Sequence, residues 1–167
     1  FASRFGRSIM LTDHYRHELK LIEEKHPTAE SQGKTECCRS GVCCWRRPGE
    51  LLQDDVPRLA AHLSLTPQEL FKQYLVVDEI NGRQVLIPRR QHQSALAGGK
   101  VPWEETYTIA SPCVFLTSEN ACQVHEAKPT GCAQYKCWED DAPQLPEWTT
   151  EQLTALGWDG FDPDEWD

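Results

Sequence analysis

Residues 37–44 read Cys-Cys-Arg-Ser-Gly-Val-Cys-Cys, four thiols within eight positions. Thiolates two or three residues apart in a glycine-containing loop can converge on one ion while loop amides turn toward the sulfurs and offset their negative charge. Gly41 supplies the backbone freedom for such a turn. A second group, Cys113, Cys122, Cys132 and Cys137, begins after 68 intervening residues and lies in hairpin or turn contexts where separate strands can bring side chains together. The expected metal ligands are therefore Cys37, Cys38, Cys43, Cys44, Cys113, Cys122, Cys132 and Cys137.

Two other uses of eight cysteines fit less well. An even count suits disulfides, but these need an oxidising compartment, and adjacent cysteines bond each other only with strained geometry. Inert core thiols would be scattered, not packed four to eight residues. The spacing is neither that of a zinc ribbon nor that of a simple ferredoxin run, so it points to a metal and leaves the metal open. Four thiolates can hold one zinc or one iron-sulfur cluster, and eight can build a cluster plus a zinc, or two zincs.

Outward from the first group, Leu11, Tyr15, Leu19 and Ile22 recur at helical spacing, which predicts an amphipathic helix over 13–26 that Pro27 ends. Val56, Leu59, Ala60 and Leu63 mark a short helix starting near Asp54-Asp55. Thr66-Pro67-Gln68-Glu69 is a capping signature, with a hydroxyl to cap, proline where no amide donor is needed and glutamate three positions on, so a second helix should run to about Leu75. Val76–Ile80 and Arg83–Ile87 flank Asn81-Gly82, the pair that best accommodates positive φ at both centres of a tight turn, and predict a β-hairpin. Residues 91–100, with Ala97-Gly98-Gly99, read as a flexible connection. Cys113–Leu116 and Ala121–Val124 predict a second hairpin across Ser118-Glu-Asn. Thr149-Thr-Glu-Gln should start a last short helix that Gly157 stops.

The expected fold is α+β: a small metal-centred domain of three to four helices and two β-hairpins, with irregular loops around the cysteines. The expected division is an N-terminal extension over 1–12, the cysteine-cluster domain over 13–138 and an acidic, tryptophan-containing tail over 139–167.

The net charge of −9 belongs to that tail: Glu139–Asp167 carries ten acidic and no basic residues, leaving 17 basic and 16 acidic groups in the rest. No basic stripe able to displace phosphate counterions is present, so no nucleic-acid partner is expected. Arg46-Arg47 and Arg89-Arg90 read as ordinary solvated loop charges. Trp148, Trp158, Phe161 and Trp166 among so many acids imply that the tail docks, on its own domain or on a protein partner. No apolar run approaches the ~20 residues of a membrane helix, and the expectation is a cytoplasmic protein without a membrane partner.

These residues resemble those of the bacterial YkgJ-like proteins, the CxxCxxCC cysteine-cluster domains described as zinc- or iron-chelating. Such domains carry Cys-x-x-Cys-Gly-x-Cys-Cys, then a helix pair, a Cys-x-Phe-Leu stretch, a Cys-x-Ile-Tyr stretch and Arg-Pro-x-x-Cys. Here Cys37, Gly41, Cys43 and Cys44 match the first motif and Cys113-Val-Phe-Leu116 the second. Cys122-Gln-Val-His125 and Lys128-Pro129-Thr-Gly-Cys132 are similar to the rest. Ser40 stands where the second cysteine of the family falls, and Cys38 is an additional one. The resemblance implies zinc or iron; a similar domain in flagellin lysine methylases is associated with a [4Fe-4S] cluster. A [4Fe-4S] cluster or iron is the preferred cofactor, in a redox or cluster-based module acting with a partner, and zinc in a structural scaffold or metal carrier is the alternative. A metal-dependent enzyme with an open coordination position is a lesser reading, for which only His125 and Glu126 beside Cys122 offer a pair to test. No other nucleophile–base set, phosphate-cradling loop or dinucleotide fingerprint is present, so the sequence leaves enzymatic activity open and leans against it.

Overall fold

A computed structural model describes residues 44–45, 48–106, 108–119, 121–134 and 145–165. The helix expected over 13–26 lies outside these residues. So do Cys37, Cys38, Cys43 and Cys137.

The fold is α+β, a set of short helices around one antiparallel hairpin. Helix α1 spans Asp55–His62, and α2 spans Pro67–Tyr74 behind the predicted capping box, with the Thr66 hydroxyl accepting from the Glu69 amide and the Glu69 carboxylate accepting from the Thr66 amide. The chain then turns directly into β1 (Leu75–Ile80), which pairs with β2 (Arg83–Pro88) in the register Val76 with Ile87, Val77 with Leu86 and Asp78 with Val85. Asn81 at φ 53° and Gly82 at φ 76° make the tight turn that the dipeptide foretold.

Strand alternation splits the hairpin's side chains between two apolar clusters. Leu75, Val77 and Leu86 join the larger one, with Leu51, Leu59, Leu70, Phe71, Phe115 and Val124, whereas Val76, Ile80, Val85 and Ile87 face the smaller one with Val101. Buried on both faces, the hairpin is the structural centre of the described residues.

Two expectations are corrected. Residues 91–100 are not a free connection: Gln91–Leu96 is a 3-10 helix, and Lys100 bridges β1 in parallel, with the Val77 amide donating to Gly99 and the Val101 amide to Val77. The smaller apolar cluster needs Val101 and Leu96 as a lid, which fixes this segment. Residues 113–124 form only a stub of the expected second hairpin. Leu116 and Cys122 make a single antiparallel bridge, flanked by bonds from the Thr117 amide to Ala121 and the Gln123 amide to Phe115, and the backbone curls beyond it: the Leu116 amide bonds back to Cys113 and the Ala127 amide to Val124.

Further along, α3 (Trp103–Thr106) and α4 (Thr130–Gln134) are single turns. Residues 145–158 pack into the larger cluster. Trp148 exchanges hydrogen bonds with Gln84 and donates its indole N–H to the Leu51 carbonyl at 2.7 Å. Helix α5 (Thr150–Ala155), with the capping box expected at Thr149, buries Leu153, and Trp158 follows it into the core. Gly157, at φ 110°, ends the helix in a conformation that side chains rarely adopt. Two of the tail's acids are committed internally, Asp162 to Lys100 at 2.6 Å and Asp164 to the Trp103 amide. Among the described residues no helix is long and apolar enough to cross a membrane.

Candidate metal centre

Four of the eight cysteines, Cys44, Cys113, Cys122 and Cys132, fall among the described residues. They sit on four separate pieces of chain that the core draws together. Cys113 is buried within the larger apolar cluster, and Cys44 and Cys122 pack against its edge. The Cys113 amide donates to the Cys44 carbonyl at 2.8 Å, so the two cysteine groups, far apart in sequence, meet through the backbone.

Cys44 and Cys122 also meet through their thiols. The hydrogen bond from Cys44 is the largest influence on Cys122 and lowers its pKa; burial opposes it, while the Val124 amide and the positive charges of Lys128 and His62 lower it further, bringing the thiol to about 6. These influences favour the thiolate, the form in which cysteine binds metals. The Val124 amide is supplied by the turn that replaced the expected strand. The backbone turns back after Cys122, and the 3-10 turn His125–Ala127 follows.

Cys132 lies in the first turn of α4, and two glycines let that turn come close. The segment Gly49-Glu50 crosses residues 131–132 so tightly that a Cβ on Gly49 would collide with the Cys132 sulfur and amide nitrogen, and a Cβ on Gly131 with the Glu50 backbone. The Gly131 amide donates to the Glu50 carbonyl at 2.9 Å. Asp55, 1 % exposed, anchors the same turn from α1. Its carboxylate accepts from the Thr130 amide at 2.9 Å and the Thr130 hydroxyl at 2.8 Å, from the Leu52 amide at 2.7 Å and from Arg58 at 2.7 Å. Burial alone would raise the Asp55 pKa; the bonds from Leu52, Thr130 and Arg58 outweigh it and hold the carboxyl below its ordinary value. Arg58 continues to the Lys128 carbonyl at 2.8 Å, so α1 holds the whole stretch between Cys122 and Cys132.

Sequence reading missed three contributors to this site. His62 and Lys128 act on Cys122 only through the fold; nothing in its local spacing marks His62, and Lys128 was read only as the first residue of the Lys-Pro-Thr-Gly-Cys132 motif. Arg90, read as a solvated loop charge, is buried at 5 % exposure. The signal was its position after Val85-Leu86-Ile87-Pro88, a run buried without interruption, which carries the chain into the interior. The Ser111 loop beside it is pinned by a hydrogen-bonded chain: His92 Nδ1 lies 2.6 Å from the Ser111 hydroxyl and Nε2 lies 2.8 Å from Glu105. His125 is half-buried on its 3-10 turn and Glu126 is exposed. Among the described residues no three side chains of histidine, cysteine, aspartate or glutamate are arranged to hold a metal ion; those residues contain half of the expected thiols.

The donor set present suits a thiophilic metal: a thiol with a lowered pKa, a second thiol against it and an amide turned to the sulfur are the features that thiolate sites use. Comparison with known proteins gives the same chemistry. The CxxCxxCC family, described as "Putative zinc- or iron-chelating domain", matches residues 35–155. No curated protein and no solved structure matches the chain. With well over half of its length matched, and with both cysteine groups inside the match, the chain belongs to the CxxCxxCC family of zinc- or iron-chelating domains.

Proposed function

We propose that the cysteine thiolates hold an iron-sulfur cluster, or iron, and that the domain works as a redox or cluster-bearing module with a protein partner. One observation carries this reading: the Cys44–Cys122 thiol pair sits at the edge of an apolar core that is already extensive. A structural zinc substitutes for the core that a small domain lacks, and domains built that way unfold without it. Here two apolar clusters enclose the hairpin on both faces, which favours a metal serving as a working group over one serving as a staple. When bound, a cluster supplies one-electron transfer at a potential set by its ligands and by hydrogen bonds to its sulfurs.

The chain's part is to hold negative charge at the sulfurs and shape their surroundings. Cys44 and the Val124 amide do so at Cys122 from hydrogen-bond distance, and Lys128 through its charge. Cys37, Cys38, Cys43 and Cys137, with Cys113 and Cys132, complete the proposed donor set. Glu147, Glu151, Asp159 and Glu165 are exposed, an acidic surface suited to a partner with a basic face.

A second reading, a closed zinc site in a scaffold or metal carrier, draws on the burial of Cys113 within the apolar cluster. Anaerobic purification of the full chain separates the two. A brown protein with broad absorption near about 400 nm and about four irons and four sulfides per chain is expected. A colourless protein with stoichiometric zinc would replace the cluster reading by the zinc one. Replacing Cys132 by alanine should lower metal content in either case; full retention would remove Cys132 from the ligand set.

A further inference from the structure

The Arg90 side chain hydrogen-bonds next to both cysteine groups. Its Nη1 donates to the Trp45 carbonyl at 2.8 Å and to the Ser111 carbonyl at 2.9 Å. Trp45 directly follows Cys44, and Ser111 is two residues before Cys113. The Arg90 backbone is engaged at the same place: it pairs with Cys113 in an antiparallel bridge, flanked by bonds of 2.9 Å from the Gln91 amide to Pro112 and from the Val114 amide to Arg89. Its own amide is fixed by the Gln93 side chain at 2.8 Å. Residues 111–114 thus lie between 44–45, reached through the Cys113 amide, and 89–91, reached through the bridge, and the Arg90 guanidinium ties its own segment to both of the others.

Burying a guanidinium is expensive, and an apolar side chain of similar volume would serve packing at least as well. What the apolar side chain cannot do is donate to two carbonyls that belong to different segments. We infer that Arg90 is a positioning residue of the metal centre, fixing the spacing between Cys44 and Cys113 so that sulfurs from both groups reach one metal. This rests on the reading of Cys44 and Cys113 as ligands.

The test is anaerobic titration of the reduced full chain with cobalt(II), whose thiolate charge-transfer and tetrahedral d–d bands report ligand number and geometry whatever the native metal is. Arg90→Met, which fills the space without donors, should weaken cobalt binding about tenfold to a hundredfold, the usual effect of removing a group that orients ligands, and should reduce the charge-transfer intensity per cobalt. Both bonds leave a single nitrogen, so Arg90→Lys should recover most of the spectrum. Hydrogen exchange supplies a readout independent of metal: in Arg90→Met the Cys113 amide, bonded to Cys44, should lose protection while those of Val76 and Val77 keep theirs. An Arg90→Met protein with wild-type cobalt spectrum, affinity and Cys113 protection overturns the inference and leaves the metal site standing. Failure of Arg90→Lys to recover the spectrum, with its Val76 and Val77 amides protected, also overturns it. A wild-type chain without thiolate–cobalt bands removes the metal-thiolate reading and this inference together.

Discussion

Asp55 shows how much of the site's geometry rests on single side chains outside the ligand set. Its carboxylate accepts four hydrogen bonds, two of them from Thr130 at the start of the Cys132-bearing turn. Replacing it by asparagine should cost about 3 kcal/mol, since donors to a charged acceptor lose their partner in a buried place. The pH dependence has a definite sign. A carboxyl whose folded-state pKa is depressed contributes stability that is fully present above its unfolded value of about 4 and is lost as pH falls through the lower folded value. Chemical denaturation at a series of pH values should therefore show wild-type stability falling more steeply than that of Asp55→Asn from about pH 5 downward. Acid sensitivity of the thiolates is common to both proteins and leaves the difference intact. Equal slopes would show that Asp55 is not held ionised. Gly131 makes a complementary case. Alanine there meets the Glu50 backbone and should cost about 1–3 kcal/mol and lower metal content by displacing Cys132. Alanine at Gly82, where a Cβ meets nothing but φ is +76°, should cost about 1–2 kcal/mol with metal content unchanged. The turn at Gly82 was legible in sequence; the roles of Asp55 and Gly131 were not. Cysteine types and spacing declare their chemistry locally, whereas Asp55, Gly131 and Arg90 acquire theirs from segments 75, 81 and 45 positions away in the chain.

At the scale of elements, what the sequence disclosed and what it hid divide along local and tertiary causes. The Thr66 and Thr149 capping boxes and the Asn81-Gly82 turn are self-contained signals, and α2, α5 and the hairpin stand where those signals put them. Alternation in 113–116 and 121–124 resembled strands, but the two arms pair only around Leu116 and Cys122, and the Cys113 and Val114 amides bond to Cys44 and Arg89 instead. The turn after Cys122 then delivers the Val124 amide to its sulfur. A strand would have spent that amide on a ladder. Residues 91–100 carried glycines and looked unstructured, yet the exposed apolar face of β1 and β2 required a cover that no local signal announces. Helix α5 supports the larger cluster from the far side of the sequence. Leu153→Ala, emptying a fully buried position, should cost about 2–5 kcal/mol by chemical denaturation. A loss under about 1 kcal/mol would mean that α5 is a peripheral attachment and not part of the core.

For the molecule as a whole, the decisive relation is between the apolar core and the thiols at its edge. Leu59, Leu70, Phe71, Leu75, Val77 and Leu86 are fully buried in a cluster made almost wholly of apolar side chains, with Cys113 its one buried cysteine among the described residues, and α1, α2 and the hairpin bond through their backbones to one another and to segments that include Leu51, Gly99 and Trp148. Cys44 and Cys122 lie at the rim of this body, and Cys132 enters on a turn held by Asp55 and by the crossing with Gly49. Stability should then be unequal across the chain, with a core that opens only globally and cysteine-bearing turns that open locally. Removal of the metal with a chelator under reducing conditions should therefore leave far-UV circular dichroism largely intact and the amides of β1 and β2 protected. Exchange should accelerate in residues 111–116 and 121–134. This outcome differs from that of a metal-dependent mini-domain, in which apo protein is unfolded throughout because metal binding and folding are one equilibrium. Loss of protection across β1 and β2 on chelation would show that the ion, and not the two apolar clusters, holds the hairpin, and would move the zinc-staple reading ahead of the working-group one.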